Sequence, residues 1–221
     1  MNCVDRFKAI REKVPSNIKI VAVSKTKPAT LIEQLYTATG HKTFGENKAQ
    51  ELNEKHSVLA SDIDWHFIGH LQTNKIKYIA PYVGLVQSVD SFKLLSEIDK
   101  EAKKQNRVIP CLLQFHIATE ESKYGFSIEE AKRMLDDPLF QELRNILPCG
   151  VMGMATFTDN QQLVRKEFNM LHYYFTAIKT SYFSQQPDFR EISMGMTDDY
   201  LLAIDEGSTI IRIGSGIFGG R

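Results

Sequence analysis

"VAVSKTKP" puts Lys25 at the end of an apolar run, with Lys27 two residues on. An amine placed there is either a solvated strand end or a group aimed at a ligand. "TIIRIGSG" raises the matching question for Arg212, an arginine inside another apolar run. A guanidinium buried alone is costly, so Arg212 must be ion-paired, for instance with Glu46, or face a ligand in a polar cavity. Two further segments join the set: "SMGMT" carries Ser193, Gly195 and Thr197, and "GSG" carries Gly214, Ser215 and Gly216. Glycine lets the backbone approach closely, exposed N–H groups point at oxygens, and hydroxyls add donors; the combination suits a phosphate. A lysine beside an anchored phosphate is a charge partner or an imine-forming amine.

These residues are far apart in sequence and need a scaffold that gathers them. Val- and Ile-rich runs alternate with stretches of helical period, the pattern of a parallel sheet built from βα units. After a leading helix over 4–14, strands are expected at 18–24, 42–46, 64–69, 84–89, 108–118, 149–155, 190–195 and 209–214. Helices fit 28–39, with Pro28 at its start, 91–105, and the long stretch 159–183, with Asp159 as N-cap. Eight strands at this spacing predict a (β/α)8 TIM-like barrel with an additional N-terminal helix, a single domain over residues 1–221.

In a barrel the C-terminal strand ends form the active face, and strands seven and eight frequently hold a phosphate there. Lys25 and Thr26 follow strand one, Asn47 strand two, His70 strand three, and Ser88 and Asp90 strand four. His116 falls on strand five, Thr156 just past strand six, and the two phosphate-suited segments end strands seven and eight. Strands one and eight are neighbours in a closed barrel, so Lys25 and Arg212 belong to one constellation. A helical pattern in "TDDYLLAID" adds an N-terminal partial charge that favours an anion.

Basic and acidic side chains balance at 27 each, which gives no electrostatic bias towards nucleic acid or anionic lipid. Cys3, Cys111 and Cys149 are odd in number and show no CxxC spacing, as suits a reducing cytosol. The N-terminus lacks an uninterrupted hydrophobic region, and no stretch has the length of a membrane span. The expectation is a cytoplasmic protein without nucleic-acid or membrane partners.

The motifs "VAVSKTKP", "FGENKAQE", "WHFIGHLQTNK", "SVDS", "ESKYGF", "GVMGMATFTDN", "SMGMTDDYLLAI" and "RIGSGIFGGR" occur in this order from near residue 20 onwards. As a set they resemble the pyridoxal 5′-phosphate (PLP) homeostasis proteins, single-domain relatives of the N-terminal barrel of alanine racemases. The resemblance implies that Lys25 forms the internal aldimine with PLP, that Asn47 lies beside the ring, and that Arg212 meets the pyridine nitrogen. Ser193, Gly195, Gly214 and Ser215 would help hold the phosphate, with Met194 and Met196 supplying backbone contacts or walls. Lys27 and Lys123 match other family lysines near the site and could assist PLP transfer. His116 stands where the family usually has asparagine, and Thr197 where it usually has serine.

An arginine at the pyridine nitrogen is a poorer partner for carbanion chemistry than an acid. The sequence also stops at Arg221, directly after the eighth strand, so the second domain of the racemases is expected to be absent. The resemblance therefore implies a monomeric PLP carrier or regulator in PLP (vitamin B6) homeostasis, serving PLP-requiring apo-enzymes and so amino-acid metabolism. A weak amino-acid racemase is the alternative, and a phosphate-ligand barrel without PLP a third. A zinc site at His66 and His70 is disfavoured, since the segment reads as a strand without HExxH or a cysteine partner. His66 then reads as a polar barrel residue, and His41, His56 and His172 as surface or helix-face residues.

Overall fold

The structure, a computed structural model, describes residues 1–120 and 124–220. Eight parallel strands close into a barrel in sequence order: β1 (Lys19–Val23), β2 (Thr43–Glu46), β3 (Asp64–Phe67), β4 (Leu85–Val89), β5 (Ile109–Phe115), β6 (Ile146–Gly153), β7 (Glu191–Ser193) and β8 (Ile210–Ile213). Helix α1 (Cys3–Lys13) precedes the barrel. The helices α2 (Ala29–Thr39), α3 (Ala49–Val58), α4 (Ile76–Ile79), α5 (Phe92–Lys104), α6 (Ile128–Asp136), α7 (Gln161–Tyr182) and α8 (Tyr200–Asp205) connect the strands, and α9 (Ser215–Phe218) follows β8. The (β/α)8 barrel with an extra N-terminal helix is thus the observed architecture.

Each strand is buried on both faces, which is why the sequence shows apolar runs instead of alternation. The outward rows, among them Ile20 and Ala22, Ile192 and Met194, and Ile211 and Ile213, pack into the large core beneath the helices. The inward rows form a smaller cluster around Val21, Val23, Leu85, Leu112, Met152 and Ile210. Because side chains alternate along a strand, this parity decides which residues reach the barrel mouth.

Some boundaries differ from the sequence expectation. Strand β6 begins at Ile146, not residue 149, because its early Pro148 is accommodated where the register with β5 shifts. The cap of α7 is Asn160, not Asp159: its side chain accepts the Gln162 and Leu163 N–H groups. Pro28 caps α2 from outside the helix. No helix among the described residues is long and apolar enough to cross a membrane.

His41 is not a surface residue. Its ring lies 4.6 Å from that of Phe7 and 5.4 Å from that of Phe44, and its Nε2–H donates to the Thr43 carbonyl at 2.8 Å. Burial pushes its pKa down to about 4, against 6.5 when free. A histidine that is neutral in the fold and charged in the unfolded chain makes stability rise with pH between those two values. Acidifying from pH 7 to 4.5 should therefore cost the wild type roughly 2–3 kcal/mol more than a His41→Phe variant. Urea midpoints at the two pH values measure this, and equal losses would contradict it.

Candidate cofactor site

A cavity of about 860 Å³ opens at the C-terminal ends of the strands. Lys25, Asn47, Met196, Arg212, Gly214 and Ser215 line it together. Parity explains the gathering. Lys25 continues the inward row of Val21 and Val23, Asn47 follows inward Gly45, and Arg212 and Gly214 continue the row of Ile210. Met154 and Ile68 add apolar wall.

The segment carrying Lys25 is held from behind by a buried charge network. Lys55, on α3 and 6% exposed, donates to the Ser24 carbonyl at 2.8 Å, Glu46 Oε1 at 2.6 Å and Glu51 Oε1 at 2.7 Å. Ser24 Oγ donates to the same Glu46 oxygen at 2.7 Å, and the Thr26 N–H donates to Glu51 Oε1 at 2.5 Å. Thr26 has φ 63°, an unusual conformation for a β-branched residue, and one that needs such fixing. Burial raises the Glu46 pKa, opposed by Lys55 and Ser24. Lys27 Nζ donates to the Gly220 carbonyl at 2.8 Å, drawing the C-terminal segment to the cavity rim.

Arg212 is 4% exposed and does not pair with Glu46, which points outward to Lys55. Its Nη1 donates to Ser193 Oγ at 2.6 Å and its Nη2 to the Gly153 carbonyl at 2.9 Å. Burial lowers its pKa to about 10, opposed by Asp199. The guanidinium is still overwhelmingly charged at neutral pH, roughly a thousandfold in favour of the cation.

Three of the residues expected around the cofactor, Ser193 and Gly195 at the phosphate and Met194 as a backbone contact or wall, do not line the cavity. Ser193 is fully buried beneath Arg212 and donates to Gln87 Oε1 at 2.6 Å. Met194 points outward into the core under the helices. Gly195, at φ +92°, serves the packing of α8: a Cβ there would lie 2.5 Å from that of Ala203. Thr197 does reach the rim, accepting from Ser215 Oγ at 3.1 Å and the Gly216 N–H at 3.2 Å. Helix α8 is only six residues long, and Asp199 before it accepts the Met196 N–H at 2.5 Å.

His116 lies just beyond β5 and bonds the Glu120 carbonyl at 2.9 Å through Nε2. Lys123 lies outside the described residues. His70 and Asp90 meet at 3.2 Å at the mouth, while His66 sits inside the barrel. Lys55, Glu51 and Gln87 were not anticipated from sequence. Phe157, 85% exposed on the rim after β6, was not either.

A family model of the alanine racemase N-terminal domain matches residues 3–221. This defines the class of barrel. The pyridoxal phosphate homeostasis protein of Aquifex aeolicus is 35% identical over 232 residues, covering 100% of this chain and 99% of that protein. That of Pasteurella multocida is 38% identical, covering 93% of this chain and 88% of the relative. Among solved structures, PipY of Synechococcus elongatus with PLP bound aligns with a TM-score of 0.88 and 29% identity, covering 99% of this chain and 100% of PipY. Alanine racemase of Bartonella henselae, at a TM-score of 0.72 and 16% identity over 58% of its length, shares the fold. The chain belongs to the pyridoxal phosphate homeostasis protein family.

Proposed function

We propose that this chain binds PLP in the cavity, held through Lys25 as a Schiff base, and carries or buffers the cofactor for PLP-requiring apo-enzymes without efficient turnover. The observation that carries the reading is one cavity shared by a lysine, a buried arginine and an unsatisfied amide. Asn47 Oδ1 is buried without a hydrogen-bond partner among the described residues, and an orphaned polar atom at the base of a cavity suits a polar ligand.

PLP, when bound, supplies an aldehyde for an amine and a pyridine ring that serves as an electron sink. Arg212 would donate to the ring nitrogen and, having no acceptor, could not receive a proton from it. Asn47 would sit beside the ring. Gly214, Ser215, Met196 and the backbone near Gly195 would hold the phosphate end, with Met194 contributing backbone alone. Ser193 acts through Arg212. A donor-only partner at the ring nitrogen disfavours carbanion chemistry, which supports a carrier over a racemase. In this reading the protein works as a cytoplasmic monomer.

The discriminating experiment incubates the PLP-loaded protein with L-alanine in D₂O. The carrier reading expects α-deuteration no faster than with the same concentration of free PLP. Exchange that saturates with alanine and requires Lys25 would instead establish racemase chemistry.

A further inference from the structure

Arg212 is the end of a hydrogen-bonded chain that crosses the barrel interior. Its Nη1 meets Ser193 Oγ at 2.6 Å, Ser193 Oγ meets Gln87 Oε1 at 2.6 Å, Gln87 Nε2 meets His66 Nδ1 at 2.8 Å, and His66 Nε2 meets Asp64 Oδ2 at 3.1 Å. The links come from β8, β7, β4 and β3. Ser193, Gln87, His66 and Arg212 are all buried, whereas the Asp64 side chain is 38% exposed. Asp64 opens β3, at the end of the barrel opposite the cavity.

The two ends, with the orientation of the Gln87 amide, fix the direction of every link. Arginine can only donate. The Asp64 carboxyl is held below its usual range despite burial, because His66 bonds it, so it is ionised and can only accept. The Gln87 amide turns its Nε2 to His66 and its Oε1 to Ser193, and an amide N–H only donates, so His66 accepts at Nδ1 and carries its proton on Nε2, towards Asp64. The Ser193 proton goes to Gln87, leaving its lone pairs to Arg212. This arrangement satisfies all four contacts, and bonds in such chains polarise one another.

From this we infer that Gln87 and His66 are positioning residues for Arg212. The relay holds the guanidinium in the orientation in which it faces the cavity, and it consumes the Ser193 proton so that this hydroxyl acts on Arg212 alone. The far end of the barrel is thereby part of the cofactor site. The inference deepens the PLP reading and, for its effect on affinity, rests on it.

Two measurements test it separately. In the cofactor-free protein labelled with ¹⁵N-histidine, long-range ¹H–¹⁵N spectra should show His66 as the Nε2–H tautomer. In Gln87→Leu, which removes both amide contacts, the PLP dissociation constant should rise about tenfold. Gln87→Glu, which keeps an acceptor for Ser193 and holds the link to His66 once that ring takes a second proton on Nδ1, should stay within about threefold of wild type. A His66 proton on Nδ1 would overturn the relay, as would Gln87→Leu binding PLP as tightly as wild type. A role in packing alone, which the near-isosteric leucine and glutamate both preserve, would leave the two affinities alike and also overturns it. If the wild-type protein takes up no PLP, the cofactor reading fails, and the tautomer alone decides the relay.

Discussion

Replacing Lys55 by methionine should cost roughly 3–5 kcal/mol of stability at pH 7, because it leaves Glu46 charged, fully buried and without its cation. Glu46 is 0% exposed, and Lys55 is the ion-pair partner that lies 2.6 Å from it. The pH dependence carries the sign of the effect. Burial already raises the Glu46 pKa, and losing Lys55 raises it further. An acid whose folded pKa lies above its unfolded value is destabilising above the folded pKa, and the penalty fades as pH falls towards the unfolded value. The variant's deficit should therefore shrink as pH falls below neutral and approach its minimum near 4.5, the ordinary carboxyl value. Adding Glu46→Gln to Lys55→Met should restore much of the loss, since removing both charges leaves no uncompensated ion. Urea titrations of the single and double variants measure this. Equal deficits at pH 7 and 4.5 would count against the ionic account. The same substitution strips the donor from the Ser24 carbonyl, so the Lys25 segment should loosen even in the double variant.

Lys25→Ala should weaken PLP binding by roughly a hundredfold, about 2.8 kcal/mol, and abolish covalent retention. Lys27 lines the same cavity but does not stand in for it, because its amine is committed to the Gly220 carbonyl and its side chain leaves the strand two positions further on. Equilibrium dialysis against PLP gives the affinity. Retention of wild-type affinity in Lys25→Ala would detach the lysine from the site.

Most of the scaffold was readable because parallel strands buried on both faces leave Val- and Ile-rich runs that local pattern detects. The gathering of Lys25, Asn47 and Arg212 at one cavity was readable because each is a polar group at a strand end or inside an apolar run, where burial demands a reason. Parity would have carried the reading further. Glu46 sits next to Asn47, so the two must face opposite ways, and the proposed Glu46–Arg212 pair was excluded by alternation alone. The same counting places Ser193 and Arg212 inside and Met194 outside. Lys55 was harder: on an amphipathic helix it looks like any solvated lysine, and only its i,i+4 spacing from Glu51 hinted at a pairing. Gln87 was hidden for another reason. A lone amide inside "LVQSV" shows that a partner exists without saying which strand supplies it, and the answer depends on barrel closure. His41 was misread because Phe7, which packs closest against its ring, comes from α1, at a sequence distance no local window spans.

The central claim is that Lys25 is the amine that holds PLP. It is tested most directly by the visible absorbance of the PLP-incubated protein before and after borohydride, followed by peptide mapping of the reduced adduct. A visible band that disappears on reduction, with the pyridoxyl label on the peptide containing Lys25, is the predicted result. A colourless protein that carries no label, or a label on another lysine, would contradict it.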